Sequence, residues 1–192
     1  METRQKRRTM APLINDIRAA DGQQKRIEGY FSTFDGVYEL WPGATESVDP
    51  HAFDECLEDD VRCLIDHDTR LVLGRTTAGT LRIGVDEKGL WFSVDINPED
   101  TDAMNLYARV QRGDVSGCSF GFDILEEETE RRSDGSTHWT IKKVKLYEGS
   151  VCTFPAYQDT SAQARRDDYK AIRRREVAQW KADMKERMSK WH

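Results

Sequence analysis

No apolar run in this chain exceeds a few residues, so nothing in it approaches the ~20 consecutive apolar positions that a membrane-spanning helix needs. The opening METRQKRRTMAPLINDIRAA starts basic, but no sustained apolar stretch follows, so it does not read as a secretory signal. Cysteine is scarce. Cys56, Cys63, Cys118 and Cys152 form no CxxC pair and no zinc-like spacing with the four histidines, which argues against a zinc module and a disulfide framework. They are expected as reduced thiols in the core of a soluble, cytosolic protein that needs no metal and no cofactor. Internal repeats and low-complexity segments are absent. With 192 residues, 38% hydrophobic and 33% charged, the chain suffices for one ordinary domain, with part of it outside the core.

Charge is present but unevenly placed. The net charge of -6 hides a basic start (6 Lys+Arg against 3 Asp+Glu in residues 1–25) and a basic end (10 against 6 in residues 158–192). The body between them carries 13 basic and 26 acidic residues. A body of this sign does not fit specific nucleic-acid binding, whereas the basic ends suit acidic partners.

Residues 1–25 show no period and are expected as a mobile arm. From Arg26 the chain turns strand-like: RIEGYFSTFD, VYELW, VRCLI, LVLG, TLRIGV and LWFSVDI are short, β-branched or aromatic, and separated by turn residues. Asp49-Pro50 predicts a short helix with Asp49 as N-cap and Phe53 and Leu57 inward. Asp86-Glu87-Lys88-Gly89 predicts a hairpin turn in which the glycine supplies positive φ. Asn97-Pro98 starts a second helix, predicted by the spacing of Ala103, Leu106, Tyr107 and Val110 and ended by Gly113. CSFGFDIL puts Cys118, Phe120, Phe122 and Ile124 on one strand face, and HWTIKKVKLYEGSVCTF reads as one long or two consecutive strands. Residues 161–192 change to Ala, Arg, Lys, Glu and Gln with a Tyr169, Ile172, Trp180, Met184, Met188, Trp191 stripe, which predicts a charged amphipathic helix. The expected class is mainly β with helices (α+β), its sheet rolled into a barrel.

Three positions stand out chemically. His67, between Asp66 and Asp68, follows a buried strand, and its neighbours favour a protonated imidazole. Alone, it reads more simply as a half-buried loop histidine. Ser119 is bracketed by Gly117 and Gly121, with little bulk in front of its hydroxyl and backbone N–H groups near; the offsets are not those of a nucleophile elbow. A strand serine beside a turn is the plainer alternative. Glu148 alternates with Ser150, Cys152 and Phe154 on one face, and a partly buried carboxylate there needs a partner: an imidazole, an Arg or a backbone N–H. Cys118 and Cys152 are the alternative nucleophiles, but Cys118 shares its face with two phenylalanines. His138 beside Trp139 reads as packing or surface, and Glu126-Glu127-Glu128 as a solvated loop edge rather than a metal site.

The order of these pieces carries more than any one of them. GYFSTFD, the PGA turn before Phe53, LIDHD followed by Leu73-Gly74, KGLWF, SFGF and the L-x-E-x-S-V-x-x-x-P-A series from Leu146 to Ala156 resemble the tailed-phage prohead protease family over about residues 26–160. These capsid-maturing serine proteases are distantly similar to the herpesvirus assembly protease. The resemblance implies a herpesvirus-protease-like β-barrel surrounded by helices, with His67 as general base, Ser119 as nucleophile and Glu148 as the acidic third member. Two positions depart from the pattern: Thr45 stands in place of Phe after PGA, and Gly149 in place of an apolar residue. The implied division is a basic arm (1–25), a protease domain (26–160) and a basic helical tail (161–192).

The implied function is a serine endopeptidase that cleaves scaffold, or the scaffold-like segment of the major capsid protein, and itself, inside the procapsid in the host cytoplasm. Its partners would be the major capsid protein, scaffold and further copies of the chain, without membrane or specific nucleic acid. Two other classes remain open: a non-catalytic capsid-assembly module of the same fold, and a cysteine hydrolase using Cys118 or Cys152.

Overall fold

The computed structural model describes residues 8–10, 17–20 and 24–154, together with 174, 177–179, 181, 182 and 184. Among these residues the strands form two sheets. The larger runs in the order β1 (Arg8–Met10), β10 (Gly117–Arg131), β11 (Thr137–Cys152), β5 (Ala44–Val48), β4 (Tyr38–Trp41). Its hairpin β6 (Arg62–Ile65) and β7 (Asp68–Arg75) joins through β6, which also pairs with β11. The smaller sheet is β2 (Arg18–Ala20), β3 (Arg26–Thr33), β9 (Gly89–Asp95), β8 (Leu81–Val85). Residues 1–25, expected as a mobile arm, thus contribute β1 against β10 and β2 against β3.

The mainly-β class holds, but the strands do not close into the expected barrel. One edge of β11 is paired along its length with β10. The other edge is shared: Thr137–Ile141 runs parallel to β5, and Glu148–Val151 runs parallel to β6. Between those two stretches the edge branches instead of continuing into one ring. The two sheets share no ladder among the described residues and meet through a core containing Ile27, Phe31, Leu90, Phe92, Phe120, Phe122, Leu146 and Val151.

The branch point is filled by residues 50–58, and this explains why the predicted helix there does not form. Phe53 is buried and Leu57 partly buried, as its inner face required. The backbone, however, follows successive turns, with bonds from Ala52 N to Asp49 O, Asp54 N to His51 O and Cys56 N to Phe53 O. In an α-helix the Ala52 carbonyl would accept from Cys56; here it accepts from Val144 N of β11 at 3.1 Å. Tying the segment to the sheet costs it the helical ladder.

The second helix forms with the predicted buried face and terminal glycine, but starts at Thr101 rather than at Asn97-Pro98. α1 (Thr101–Arg112) is capped by the Asp100 carboxylate, ends at Gly113, and buries Ala103, Leu106, Tyr107 and Val110. In the β8–β9 hairpin, Gly89 is needed for a different reason than the sequence suggests. Its φ is not positive, and a Cβ there would collide with the Ser32 carbonyl of β3. Glu126, Glu127 and Glu128 are solvent-exposed as expected, but they extend β10 as a strand rather than edging a loop. Most of the tail helix predicted over 161–192 lies outside the described residues; those described, from Arg174 to Met184, are helical and exposed.

Candidate active site

The β6–β7 hairpin places the histidine. Ile65 and Asp68 pair directly, which leaves Asp66 and His67 as the two central residues of the turn, with φ of 48° and 60°. Two left-handed residues in a two-residue hairpin are the type I′ arrangement, whose twist matches the strands. Asp and His tolerate that region better than most side chains, but it remains strained and must be held. The end of β11 holds it. Thr153 donates its N–H to Asp66 Oδ1 (2.7 Å) and its hydroxyl to Asp66 Oδ2 (3.1 Å), while Asp66 N–H donates to the Val151 carbonyl (3.1 Å).

β10 and β11 place the other two residues. Ser119 pairs with Ser150, and Gly121 pairs with Glu148. Paired residues project to the same side of a sheet, so Ser119, Ser150 and Glu148 share one face, and Gly121 leaves the position facing Glu148 without a side chain. Cys118, Phe120, Gly149 and Val151 face the core on the other side. A bulge at Tyr147 makes this possible: Gly121 pairs with Glu148 but Phe122 pairs with Leu146. Were Tyr147 paired in regular alternation instead of bulged, Glu148 would point the same way as Leu146, into the core.

These elements converge on one contact set. His67 Nδ1 lies 2.8 Å from Glu148 Oε1. The second carboxylate oxygen, Oε2, accepts from Ser150 Oγ at 2.7 Å, and Ser150 Oγ in turn accepts the His67 backbone N–H at 3.2 Å. Glu148 is buried and, when ionised, can only accept, so in a neutral His67 ring the proton sits on Nδ1 and the lone pair on Nε2. Nε2 is itself buried and has no hydrogen-bond partner among the described residues. The structure therefore brings His67 and Glu148 into direct contact and puts Ser119, fully buried, on the same sheet face, two strands away from β6. An imidazole in contact with a buried carboxylate, with a serine on the carboxylate's sheet face, has the groups that nucleophilic acyl chemistry needs.

The other candidates are placed differently. Burial pushes the Cys118 and Cys63 thiols well above the usual range and Cys152 up to about 12, with the negative charges of Asp66 and Glu148 adding to the last. These are neutral core thiols, unsuited to nucleophilic attack. His138 lies between two hydroxyls, Thr45 Oγ1 at 2.7 Å from Nδ1 and Ser47 Oγ at 3.0 Å from Nε2, and burial lowers its pKa. No group of three or more potential metal ligands occurs among the described residues. Sequence reasoning assigns no role to Ser150 or to the Asp66–Thr153 staple. Its signals for Ser150 are the two-residue step from Glu148 and its place in the Leu146-to-Ala156 series.

Residues 14–175 match the model of the caudovirus prohead serine protease family. The prohead protease of Enterobacteria phage HK97 is 30% identical over 169 residues, covering 85% of this chain and 70% of that protein. No solved structure matches the chain.

Proposed function

The chain belongs to the caudovirus prohead serine protease family, a capsid-maturation hydrolase, and from that premise we propose that Ser119, His67 and Glu148 carry its peptide-bond cleavage. The supporting observation is the 2.8 Å contact from His67 Nδ1 to a buried carboxylate, which leaves a buried Nε2 without a hydrogen-bond partner among the described residues. In this reading Nε2 takes the Ser119 proton as Oγ attacks the scissile carbonyl. Glu148 keeps the ring in the required tautomer and stabilises the imidazolium that forms. His67 then protonates the leaving amine, and water resolves the acyl-enzyme through the same base.

The substrates in this reading are scaffold, or the scaffold-like segment of the major capsid protein, and the enzyme's own chain, cut inside the procapsid. Residues 26–160 form the protease domain, although the family match runs past both ends of that range. The basic tail, 161–192, docks on a capsid partner or is removed by self-cleavage. No helix among the described residues is long and apolar enough to cross a membrane.

The test is cleavage of purified capsid-scaffold substrate by the full chain and two variants. Ser119→Ala is expected to abolish cleavage with the fold intact, and Cys118→Ala to keep it, with a stability loss of about 1 kcal/mol from the small cavity. Wild-type rates in Ser119→Ala, or a dead Cys118→Ala, overturn the assignment.

A further inference from the structure

Ser150 sits at the centre of a closed ring of contacts that the triad reading does not use. Its hydroxyl donates to Glu148 Oε2 (2.7 Å) and accepts from the His67 backbone N–H (3.2 Å), while Glu148 Oε1 meets the His67 ring (2.8 Å). One hydroxyl thus touches both the carboxylate and the backbone of the residue that the carboxylate orients. It lies on the same sheet face as Ser119, which pairs with it, and is fully buried. Its single proton goes to Glu148 and not to Nε2, so it is not set up as a nucleophile itself.

We propose that Ser150 is a positioning residue for the histidine base: it fixes the Glu148 carboxylate and pins the strained Asp66-His67 turn at the same point. This rests on the triad reading given above. The physical case has two parts. A buried carboxylate has one oxygen committed to the imidazole, and the other needs a donor if the group is to stay ionised and in one rotamer. A turn with two left-handed non-glycine residues needs anchoring on both, and Asp66 is anchored by Thr153 while His67 is anchored by Ser150. The hydroxyl couples these demands, so that turn and carboxylate cannot shift independently.

The test is steady-state kinetics of the full chain on a peptide substrate, with the pH profile of kcat/KM. Ser150→Ala is expected to lower kcat roughly 10- to 100-fold, the factor that one hydrogen bond to a charged group supports, with KM within about twofold of wild type. The acid limb should move to higher pH, because a carboxylate short of one donor concentrates its charge on the imidazolium. Ser150→Thr, which keeps the hydroxyl, should restore both. The double variant Glu148→Gln/Ser150→Ala should lose less than the product of the two single losses, since part of what Ser150 does runs through that carboxylate while its anchoring of the His67 backbone does not.

Should the alanine variant not fold, Ser150→Cys, nearly isosteric and a weak donor, is expected to show the same upward shift of the acid limb. A Ser150→Ala or folded Ser150→Cys enzyme with an unmoved acid limb and kcat within about threefold of wild type overturns the proposal, as do multiplicative losses in the double variant. If Ser119→Ala retains activity, the triad reading fails and this role with it. If Ser119→Ala is dead while Ser150→Ala is unaffected, only the role of Ser150 fails.

Discussion

Replacing Glu148 by glutamine isolates what its charge does. The amide keeps the length and an acceptor oxygen for the His67 Nδ1–H, but it cannot stabilise an imidazolium by charge. At about 4 Å between charge centres and an effective dielectric constant of about 20, the lost attraction is about 4 kcal/mol, or roughly 10³ in rate if all of it acts in the transition state. Partial exposure of the imidazole screens the pair, since the His67 side chain is 28% accessible while that of Glu148 is 4%. The expected loss is therefore roughly 10²- to 10³-fold in kcat, below the ~10⁴ of the corresponding change in a fully buried triad. KM should hardly move, because the carboxylate lies behind the base and away from substrate. The acid limb of kcat/KM should move to lower pH, opposite in direction to the Ser150→Ala shift, as the imidazolium has lost its counter-charge. Peptide cleavage from about pH 5 to 9 measures all three. A Glu148→Gln enzyme within about threefold of wild type, with an unmoved acid limb, would show that Glu148 merely packs.

Gly149→Ala should destabilise the fold by about 1–3 kcal/mol in denaturant unfolding, because a Cβ there would run into the face of the Phe31 ring, itself stacked on Phe92 at 4.0 Å; a loss below about 0.5 kcal/mol would mean that Phe31 moves freely. His138 is buried with a lowered pKa, so the unfolded chain binds its proton more readily, and folded stability should fall as pH drops from above 6.5 through the lowered value. His138→Gln should flatten that part of the thermal-stability profile, and an unchanged slope would refute the assignment.

How legible these features are in the sequence depends on whether their causes are local. α1 is readable in its buried face and its end because the spacing of Ala103, Leu106, Tyr107 and Val110 and the terminal Gly113 are local, whereas its start falls at the Asp100 cap and not at Asn97-Pro98. The 50–58 segment is readable in its buried face but not in its backbone, because the competing donor, Val144, is more than ninety residues away. Alternation groups Phe154 with the buried Glu148 face, yet it is 72% exposed, since β11 ends at Cys152 before the alternation reaches it. Gly149 looks like a departure from an apolar pattern. The structure gives it a reason: the apolar group in that place comes from Phe31 of the other sheet.

The site itself is legible residue by residue but not as an assembly, and β11 shows why. Glu148 reaches the site face only because Tyr147 is bulged, and nothing in KLYEGSV marks that residue as the extra one. The bulge also lets Leu146 and Gly149 both face the core, so the carboxylate is anchored from beneath on either side. Across its second edge, β6 runs parallel to Glu148–Val151 and ends beside Val151, so the hairpin that follows must turn at the level of Ser150 and Thr153. A barrel in which one neighbour paired with the whole of that edge would leave no such strand end. The branching of the sheet and the placing of the histidine thus have a single cause: β11 keeps the last stretch of its edge for β6, and His67 comes back over the one carboxylate that the bulge has turned to meet it.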